Sequence, residues 1–290
     1  MKGFLSPKEC DPRIADWTAP HYLSRNERVA DAGLLCLILP GTRGLPRDYR
    51  KLADQAADLG FHALALRYPN DTSVNELAAG DLALHEPLRG TVLDGLPRSG
   101  RDGLAPGECL LDRLRSVLVH ASTARPAENW GQFLSDGAIA WGRVAAVGHS
   151  LGGGYAALLA RDHALERAVL LGWADWDRTR GDLADWISGP WATPADRRFH
   201  MRHRRDELVP ESVAAAVAGL VCPTGPEVEV ESSEPPYRHA RRLVTDLDPA
   251  REVPTASPCH NSLAVDVEVP RFWDGAPMLS DVWTWMLLGR

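Results

Sequence analysis

The sequence predicts an α/β fold in which a mostly parallel central sheet is covered by helices on both faces. Short apolar runs alternate with helical stretches along the chain, and this alternation is typical of a sheet built from parallel strands. The runs at 33–39 and 61–67 are apolar at nearly every position, as in strands buried on both faces. With 290 residues, of which 44% are hydrophobic and 24% charged, the chain has enough core for one domain spanning 1–290.

The predicted elements follow one another in a regular order. The first strand ends in a Pro-Gly turn, and an amphipathic helix at 47–59 leads to the second strand. The residues from about 70 to 106 are rich in Gly, Pro and Asp, so they are predicted to form an insertion with little regular structure. The later elements are helices at 108–121 and 130–135, a strand from 144, a helix at 155–161, strands at 167–172 and 199–205, a helix at 212–220, strands at 227–231 and 241–247, and a helix at 278–288.

The most informative segment joins the strand that begins at Val144 to the helix that follows it. It reads Gly148-His-Ser-Leu-Gly152, and Gly-x-Ser-x-Gly between a strand and a helix is typical of a nucleophile elbow. Small residues two positions before and after Ser150 allow the strand and the helix to pass close together. The pattern therefore predicts a serine hydroxyl that stands clear of the sheet on a sharp turn.

A serine hydroxyl is a poor nucleophile unless a base accepts its proton and an acid orients that base. His260 is the candidate base, because it lies in a loop after the last predicted strand. Asp206 is the preferred acid, because it comes at the end of a predicted strand, but Asp175 and Asp177 follow the preceding strand and remain open alternatives. His149 belongs to the elbow, and its side chain is expected to point away from the serine. The other histidines are expected to pack or to face solvent: His200, His203 and His239.

The chain resembles the α/β-hydrolase superfamily from the strand at Gly33 to the last helix. In that superfamily the triad follows the chain order serine, acid, histidine. The resemblance therefore implies Ser150 as the nucleophile, Asp206 as the acid and His260 as the base, with no metal and no organic cofactor. It also implies an α/β-hydrolase fold.

The resemblance further implies an oxyanion hole made of two backbone N–H groups. One belongs to Leu151, directly after the nucleophile, and the other to the loop after the first strand, where Thr42 is the candidate and Arg43 comes second. Within the superfamily, the elbow together with Leu39-Pro-Gly-Thr42 and Ala192-Thr-Pro-Ala-Asp196 resembles a little-characterised bacterial group.

A tryptophan-rich segment at 174–196 is predicted to form a small cap over the site. Four tryptophans are candidates for substrate binding, with a role in the core as the alternative: Trp173, Trp176, Trp186 and Trp191. A pocket lined by them would favour an apolar or aromatic acyl group. The sequence thus predicts a serine hydrolase that cleaves a carboxylic ester or thioester of a small molecule; the alternatives are an acyltransferase, cyclase or lyase on the same fold, or a non-catalytic binding protein.

Charge and hydropathy disfavour several other classes of partner. The net charge of −7 argues against a nucleic-acid-binding surface, which needs clustered basic residues. No apolar run approaches the ~20 residues that span a bilayer, and residues 1–22 lack the apolar segment of a secretory signal. Five scattered cysteines without C-x-x-C spacing fit a reducing compartment, so we expect a cytoplasmic protein.

Overall fold

The computed structural model describes residues 1–250 and 255–289. Its strands are β1 (Lys2–Leu5), β2 (His21–Ser24), β3 (Leu35–Leu39), β4 (His62–Ala65), β5 (Leu134–Ser135), β6 (Ala138–Ile139), β7 (Val144–His149), β8 (Arg167–Leu171), β9 (Arg198–His203), β10 (Glu227–Glu229) and β11 (Arg242–Thr245). The helices are α1 (Pro7–Cys10), α2 (Arg50–Asp58), α3 (Val74–Ala78), α4 (His85–Asp94), α5 (Leu110–Ala124), α6 (Leu151–Asp162), α7 (Glu211–Val221), α8 (Pro258–Asn261) and α9 (Ser280–Leu288). Within the described ranges, no helix is both long and apolar enough to cross a membrane.

All strands except β5 and β6 form one sheet in the order β1-β2-β4-β3-β7-β8-β9-β11-β10. The pairings of β1 with β2 and of β2 with β4 are antiparallel, and the remaining pairings are parallel. The central strands β3 and β7 are buried along their whole length, which explains their continuous apolar sequence. The predicted mostly parallel sheet flanked by helices is therefore confirmed.

The arrangement of the strands places the loops that carry the candidate site residues at one edge of the sheet. The chain leaves β3 toward β4 on one side, whereas β7 and β8 lie on the other side. In an open α/β sheet, such a reversal leaves a crevice at the carboxyl ends of the strands, where ligands bind. The loops that follow β3, β7, β8 and β9 all open at that edge, because these strands run parallel.

The expectation of little regular structure between 70 and 106 is wrong for part of that segment. It contains α3 and the ten-residue α4, and α4 contributes the buried Leu88 and Leu93 to the core. Pro87 argues against a helix when the sequence is considered alone, but this proline lies in the first turn of α4, where a backbone N–H has no helical partner in any case. Gly95 ends the helix with a φ of 81°, a left-handed conformation that glycine adopts at little cost.

The tryptophan-rich segment at 174–196 lies against the main core. It has little regular structure apart from short 3₁₀ turns at Asp185–Ser188 and Ala195–Arg197 and an isolated bridge between Trp176 and Leu183. Its buried Ile187 belongs to the same hydrophobic cluster as residues of β3, α5 and α6. Its role as a cap, and the single domain over 1–290, stay predictions.

Candidate active site

The elbow holds Ser150 in a strained backbone conformation between β7 and α6. Its φ of 54° and ψ of −120° lie in a region that residues other than glycine rarely adopt. The Ser150 N–H donates to the Leu171 carbonyl at 2.8 Å, which fixes the turn to β8. A Cβ atom at Gly148 would overlap the carbonyl of Gly152, and one at Gly152 would overlap that of Leu39. The two glycines of the motif are therefore required by the close approach of strand and helix.

His260 lies next to Asp206, in the arrangement of a base and its orienting acid. Its Nδ1 atom is 2.8 Å from Asp206 Oδ2. The other carboxylate oxygen, Oδ1, accepts the N–H groups of Leu208 and Val209 at 2.8 and 2.9 Å. Burial opposes ionisation of Asp206, but the hydrogen bonds from His260 and from these amides outweigh it and lower the pKa of the carboxyl. The group is therefore an anion at neutral pH and keeps the imidazole proton on Nδ1.

The second ring nitrogen of His260, Nε2, is buried and has no hydrogen-bond partner in the part of the chain that the structure describes. His260 and Ser150 both line the two lobes of one cleft. No hydrogen bond joins Ser150 to His260 within the described residues. In free enzymes such bonds are often long and form fully only with substrate.

The alternative acids contact other groups instead of His260. Asp175 is fully buried and accepts from Arg89, at 2.8 Å from Nε and 2.5 Å from Nη2. Asp177 accepts the N–H groups of Thr179 and Arg180 at 2.7 and 3.1 Å. The structure thus places Asp206, and neither alternative, in hydrogen-bond contact with the candidate base.

Two backbone N–H groups near Ser150 are available to an anion. In the described ranges, no acceptor takes the N–H of Leu151, the first residue of α6, or that of Thr42. The N–H of Arg43, the second candidate, is occupied, because it donates to the Asn70 carbonyl at 2.8 Å. The geometry therefore favours Thr42 over Arg43 as the second donor of an oxyanion hole.

The cleft has a narrow lobe of about 90 Å³ and a wide lobe of about 510 Å³. Both include Thr42, Ser150, Leu208 and His260. The narrow lobe is further lined by Val74, Trp173, Trp176, Val209 and several polar groups, among them Ser73, Asn75 and Arg178. The wide lobe is lined mainly by Gly41, Arg43, Tyr49, His149, Ser257, Asn261 and Val265. Ser150 lies where the two lobes meet.

The structure brings two of the four candidate tryptophans to this cleft. Trp173 and Trp176 line the narrow lobe. Trp186 donates from Nε1 to Asp175 at 3.2 Å and borders a different surface cavity. Trp191 lies farther along the segment, where the Arg198 guanidinium is 4.7 Å from its ring centroid. A contact with substrate is therefore open to the first pair and not to the second.

Sequence reasoning missed several residues that hold the site together. Arg89 of α4 donates from Nη1 to the Leu151 carbonyl at 3.0 Å, besides its pairing with Asp175. The Glu207 carboxylate accepts the N–H groups of Cys259 and His260, each at 3.0 Å. Glu207 directly follows the predicted acid, and this was the one available signal in the sequence. For Arg89 no local pattern gives a signal.

The order of the strands in the sheet and the strained turn between β7 and α6 together identify the fold. The chain has the α/β-hydrolase fold. No protein-family model and no curated protein sequence matches the chain.

Solved structures resemble this α/β-hydrolase fold at low identity. One is a candidate dienelactone hydrolase from Klebsiella pneumoniae, with 13% identity, a TM-score of 0.44 and coverage of 99% of this chain and 96% of that one. Another is a dienelactone hydrolase-like promiscuous phosphotriesterase from metagenomic libraries, with 18% identity, a TM-score of 0.42 and coverage of 85% and 81%. A third is a lidless α/β serine hydrolase from Xanthomonas campestris, with 12% identity, a TM-score of 0.40 and coverage of 84% and 82%. These values are too low to carry an activity or a substrate over to this chain.

Proposed function

We propose that this protein is a serine hydrolase that cleaves a carboxylic ester or thioester through an acyl-enzyme. The observation that carries the proposal is the strained Ser150 in one cleft with a buried His260 whose Nδ1 is held by Asp206 at 2.8 Å. Each part of a base-activated nucleophile is present, and the order of the parts along the chain matches the fold.

The proposed reaction begins with attack of the Ser150 hydroxyl oxygen on the carbonyl carbon. His260 Nε2 takes the hydroxyl proton, and the anionic oxygen of the tetrahedral intermediate accepts the N–H groups of Leu151 and Thr42. The bond to the alcohol or thiol then breaks, and His260 returns the proton to that leaving group. Water, deprotonated by His260, then attacks the acyl carbon, the bond from that carbon to the Ser150 oxygen breaks, and His260 returns the proton to that oxygen, which releases the acid and free Ser150. Asp206 stays ionised throughout and stabilises the imidazolium.

The narrow lobe supports a short aliphatic group on one side of the scissile bond. Its volume of about 90 Å³ is smaller than the ~150 Å³ apolar cavity that holds one benzene molecule. Trp173 and Trp176 make part of its wall apolar, whereas the wide lobe has room for a larger group. Of the apolar and aromatic acyl groups suggested by the sequence, the short apolar ones fit this lobe and a phenyl ring does not.

The proposal is tested by Ser150→Ala, assayed with p-nitrophenyl acetate, butyrate, octanoate and benzoate. We expect wild-type turnover to be highest for the two short esters. We expect Ser150→Ala to lose about 10⁴-fold or more in kcat, together with all labelling by a fluorophosphonate. Ser122→Ala is the matched control, because Ser122 is a half-buried serine of α5, outside the cleft, whose hydroxyl donates to the Val119 carbonyl at 2.7 Å. A Ser150→Ala variant that keeps most of its turnover would sink the serine mechanism.

A further inference from the structure

A buried chain of hydrogen bonds runs behind the nucleophile and was not part of the sequence prediction. The Gly41 N–H donates to the Tyr49 hydroxyl oxygen at 2.8 Å. The same hydroxyl lies 2.9 Å from Nδ1 of His149, and Nε2 of His149 lies 3.1 Å from the His260 carbonyl oxygen. Tyr49 is 1% exposed and His149 3%, so neither group exchanges these partners for water.

The backbone groups at the two ends determine where each proton lies. An amide N–H can only donate, so the Tyr49 oxygen accepts from Gly41 and its own proton is free for His149 Nδ1. Because Nδ1 accepts, the ring proton of His149 resides on Nε2, where it is donated to the His260 carbonyl, a group that can only accept. Every donor and acceptor in this chain of hydrogen bonds is therefore satisfied when the His149 imidazole is neutral.

Burial keeps both side chains in these protonation states. It lowers the pKa of His149 to about 3, with the neighbouring His260 adding to the effect, and it raises the pKa of the Tyr49 phenol. His149 therefore does not compete with His260 for the serine proton at neutral pH. Its fixed tautomer makes it a spacer of constant length and polarity.

The hydrogen-bond chain connects three segments whose relative positions the proposed reaction needs to keep fixed. Gly41 directly precedes Thr42, His149 directly precedes Ser150, and the last acceptor belongs to His260 itself. The packing between the first two is tight, since a Cβ atom placed on Gly41 would lie 3.1 Å from the Ser150 Cβ and 3.2 Å from His149 Nδ1. A loop this close to the nucleophile transmits a small displacement directly to the oxyanion donors.

We propose that Tyr49 and His149 are positioning residues that hold the oxyanion loop, the nucleophile and the base in one geometry. The proposal rests on the serine-hydrolase function proposed above. Neither residue touches the reacting atoms in this role, and both act through their hydrogen bonds to Gly41 and His260. A displacement of about 1 Å in such a site costs on the order of 10²-fold in rate, which sets the size of the expected effect.

The first test is Tyr49→Phe, which removes the hydroxyl and keeps the ring. We expect kcat for p-nitrophenyl acetate to fall by about 10- to 100-fold with little change in KM, and the rate of fluorophosphonate labelling to fall in parallel. The matched control is Tyr22→Phe on β2, which removes the hydroxyl of another buried tyrosine, bonded to Asp54 of α2 at 2.8 Å. Tyr49→Phe loses two buried hydrogen bonds and Tyr22→Phe loses one, so we expect both variants to lower Tm, with unchanged kcat in the control.

The second test separates the two bonds of His149. A glutamine amide can donate as Nε2 does, an asparagine carbonyl can accept as Nδ1 does, and alanine does neither. We expect His149→Ala to lose the most kcat, with partial recovery in His149→Gln through the bond to His260 and in His149→Asn through the bond to Tyr49. The three variants are compared at equal numbers of labelled Ser150 sites, so that a loss of folded protein does not count as a loss of rate.

The outcomes distinguish this proposal from the function on which it rests. Tyr49→Phe with kcat within twofold of the wild type, in a protein labelled at Ser150, overturns the positioning role and leaves the hydrolase proposal standing. An equal loss of kcat in Tyr22→Phe also overturns the positioning role, because the loss of kcat would then follow from the loss of stability alone. A wild type that is neither labelled nor active on any ester removes the proposed function, and the positioning role with it.

Discussion

Replacing Asp206 and Asp175 by asparagine, one at a time, tests the proposal that Asp206 orients the base and that Asp175 stabilises the fold. In Asp206→Asn the amide oxygen can still accept the N–H groups of Leu208 and Val209, as Asp206 Oδ1 does. The amide nitrogen then faces His260 Nδ1 and forces the ring proton onto Nε2. An imidazole in that tautomer cannot accept the serine proton, so we expect kcat to fall about 10⁴-fold.

Asp175→Asn has the opposite signature, because this carboxylate neutralises the buried guanidinium of Arg89. Both side chains are about 2% exposed, and the partner charge holds the pKa of Asp175 below its usual range although burial opposes ionisation. Removing one member of a buried ion pair costs about 3–5 kcal/mol. For a domain of this size that loss lowers Tm by roughly 10 °C, whereas we expect Asp206→Asn to shift Tm much less.

The assay measures kcat with p-nitrophenyl acetate at a temperature well below both transitions and Tm by calorimetry. The calorimetric transition of each variant gives the fraction of folded protein at the assay temperature and corrects the rate for unfolded protein. We expect Asp175→Asn to retain kcat within about tenfold per folded site, a small loss that the Arg89 bond to the Leu151 carbonyl accounts for. A stable Asp175→Asn without activity, together with an active Asp206→Asn, would refute the assignment of the acid.

Three further predictions concern the surroundings of the site. Burial raises the pKa of Asp266 to about 6 from 3.8, so the contribution of this carboxyl to the free energy of unfolding is full below pH 3.8 and declines by up to about 3 kcal/mol as the pH rises through about 6. Asp266→Asn should remove this decline, which is measured by urea unfolding at pH 4.5 and pH 7. A decline of the same size in the variant would contradict the prediction. Glu207→Ala should lower kcat about tenfold by releasing the backbone of His260, and Glu207→Gln, which keeps one acceptor, should lose less; equal kcat in all three proteins would show that this anchor is dispensable. Trp176→Ala should enlarge the narrow lobe and raise kcat/KM for octanoate relative to acetate, whereas Trp191→Ala should leave that ratio unchanged.

The sheet could be predicted from the sequence because each of its strands is recognised from a few consecutive residues. Strands such as β3 and β7 are buried on both faces and therefore read as continuous apolar runs, and the elbow between β7 and α6 is constrained by sterics over five residues. The same reasoning failed for α4, because Pro87 and the high content of Gly and Asp in the surrounding segment 70–106 are typical of a loop. A proline in the first turn is compatible with a helix, so composition alone could not decide.

The connections around the site were beyond sequence reasoning because they join distant segments. Tyr49 and His149 are 100 residues apart, and Arg89 and Asp175 are 86 apart. Both pairs are made by the order of strands in the sheet, and no periodicity in the sequence encodes them. The tryptophans show the same limit, because the sequence offered all four as candidates for substrate binding or for the core, whereas packing brings Trp173 and Trp176 to the cleft and Trp186 to a different cavity.

In the proposed mechanism, the pair of His260 and Asp206 carries the proton chemistry. Burial keeps His149 neutral, and Arg89 with Asp175 forms an ion pair without net charge. The remaining pair is His260 with Asp206, whose carboxylate is fixed by backbone N–H groups. In the proposed reaction, the imidazolium formed on His260 is therefore stabilised mainly by Asp206, and neither His149 nor the pair of Arg89 and Asp175 competes for its proton. Under that proposal, the separation directs a single proton between Ser150 and the leaving group.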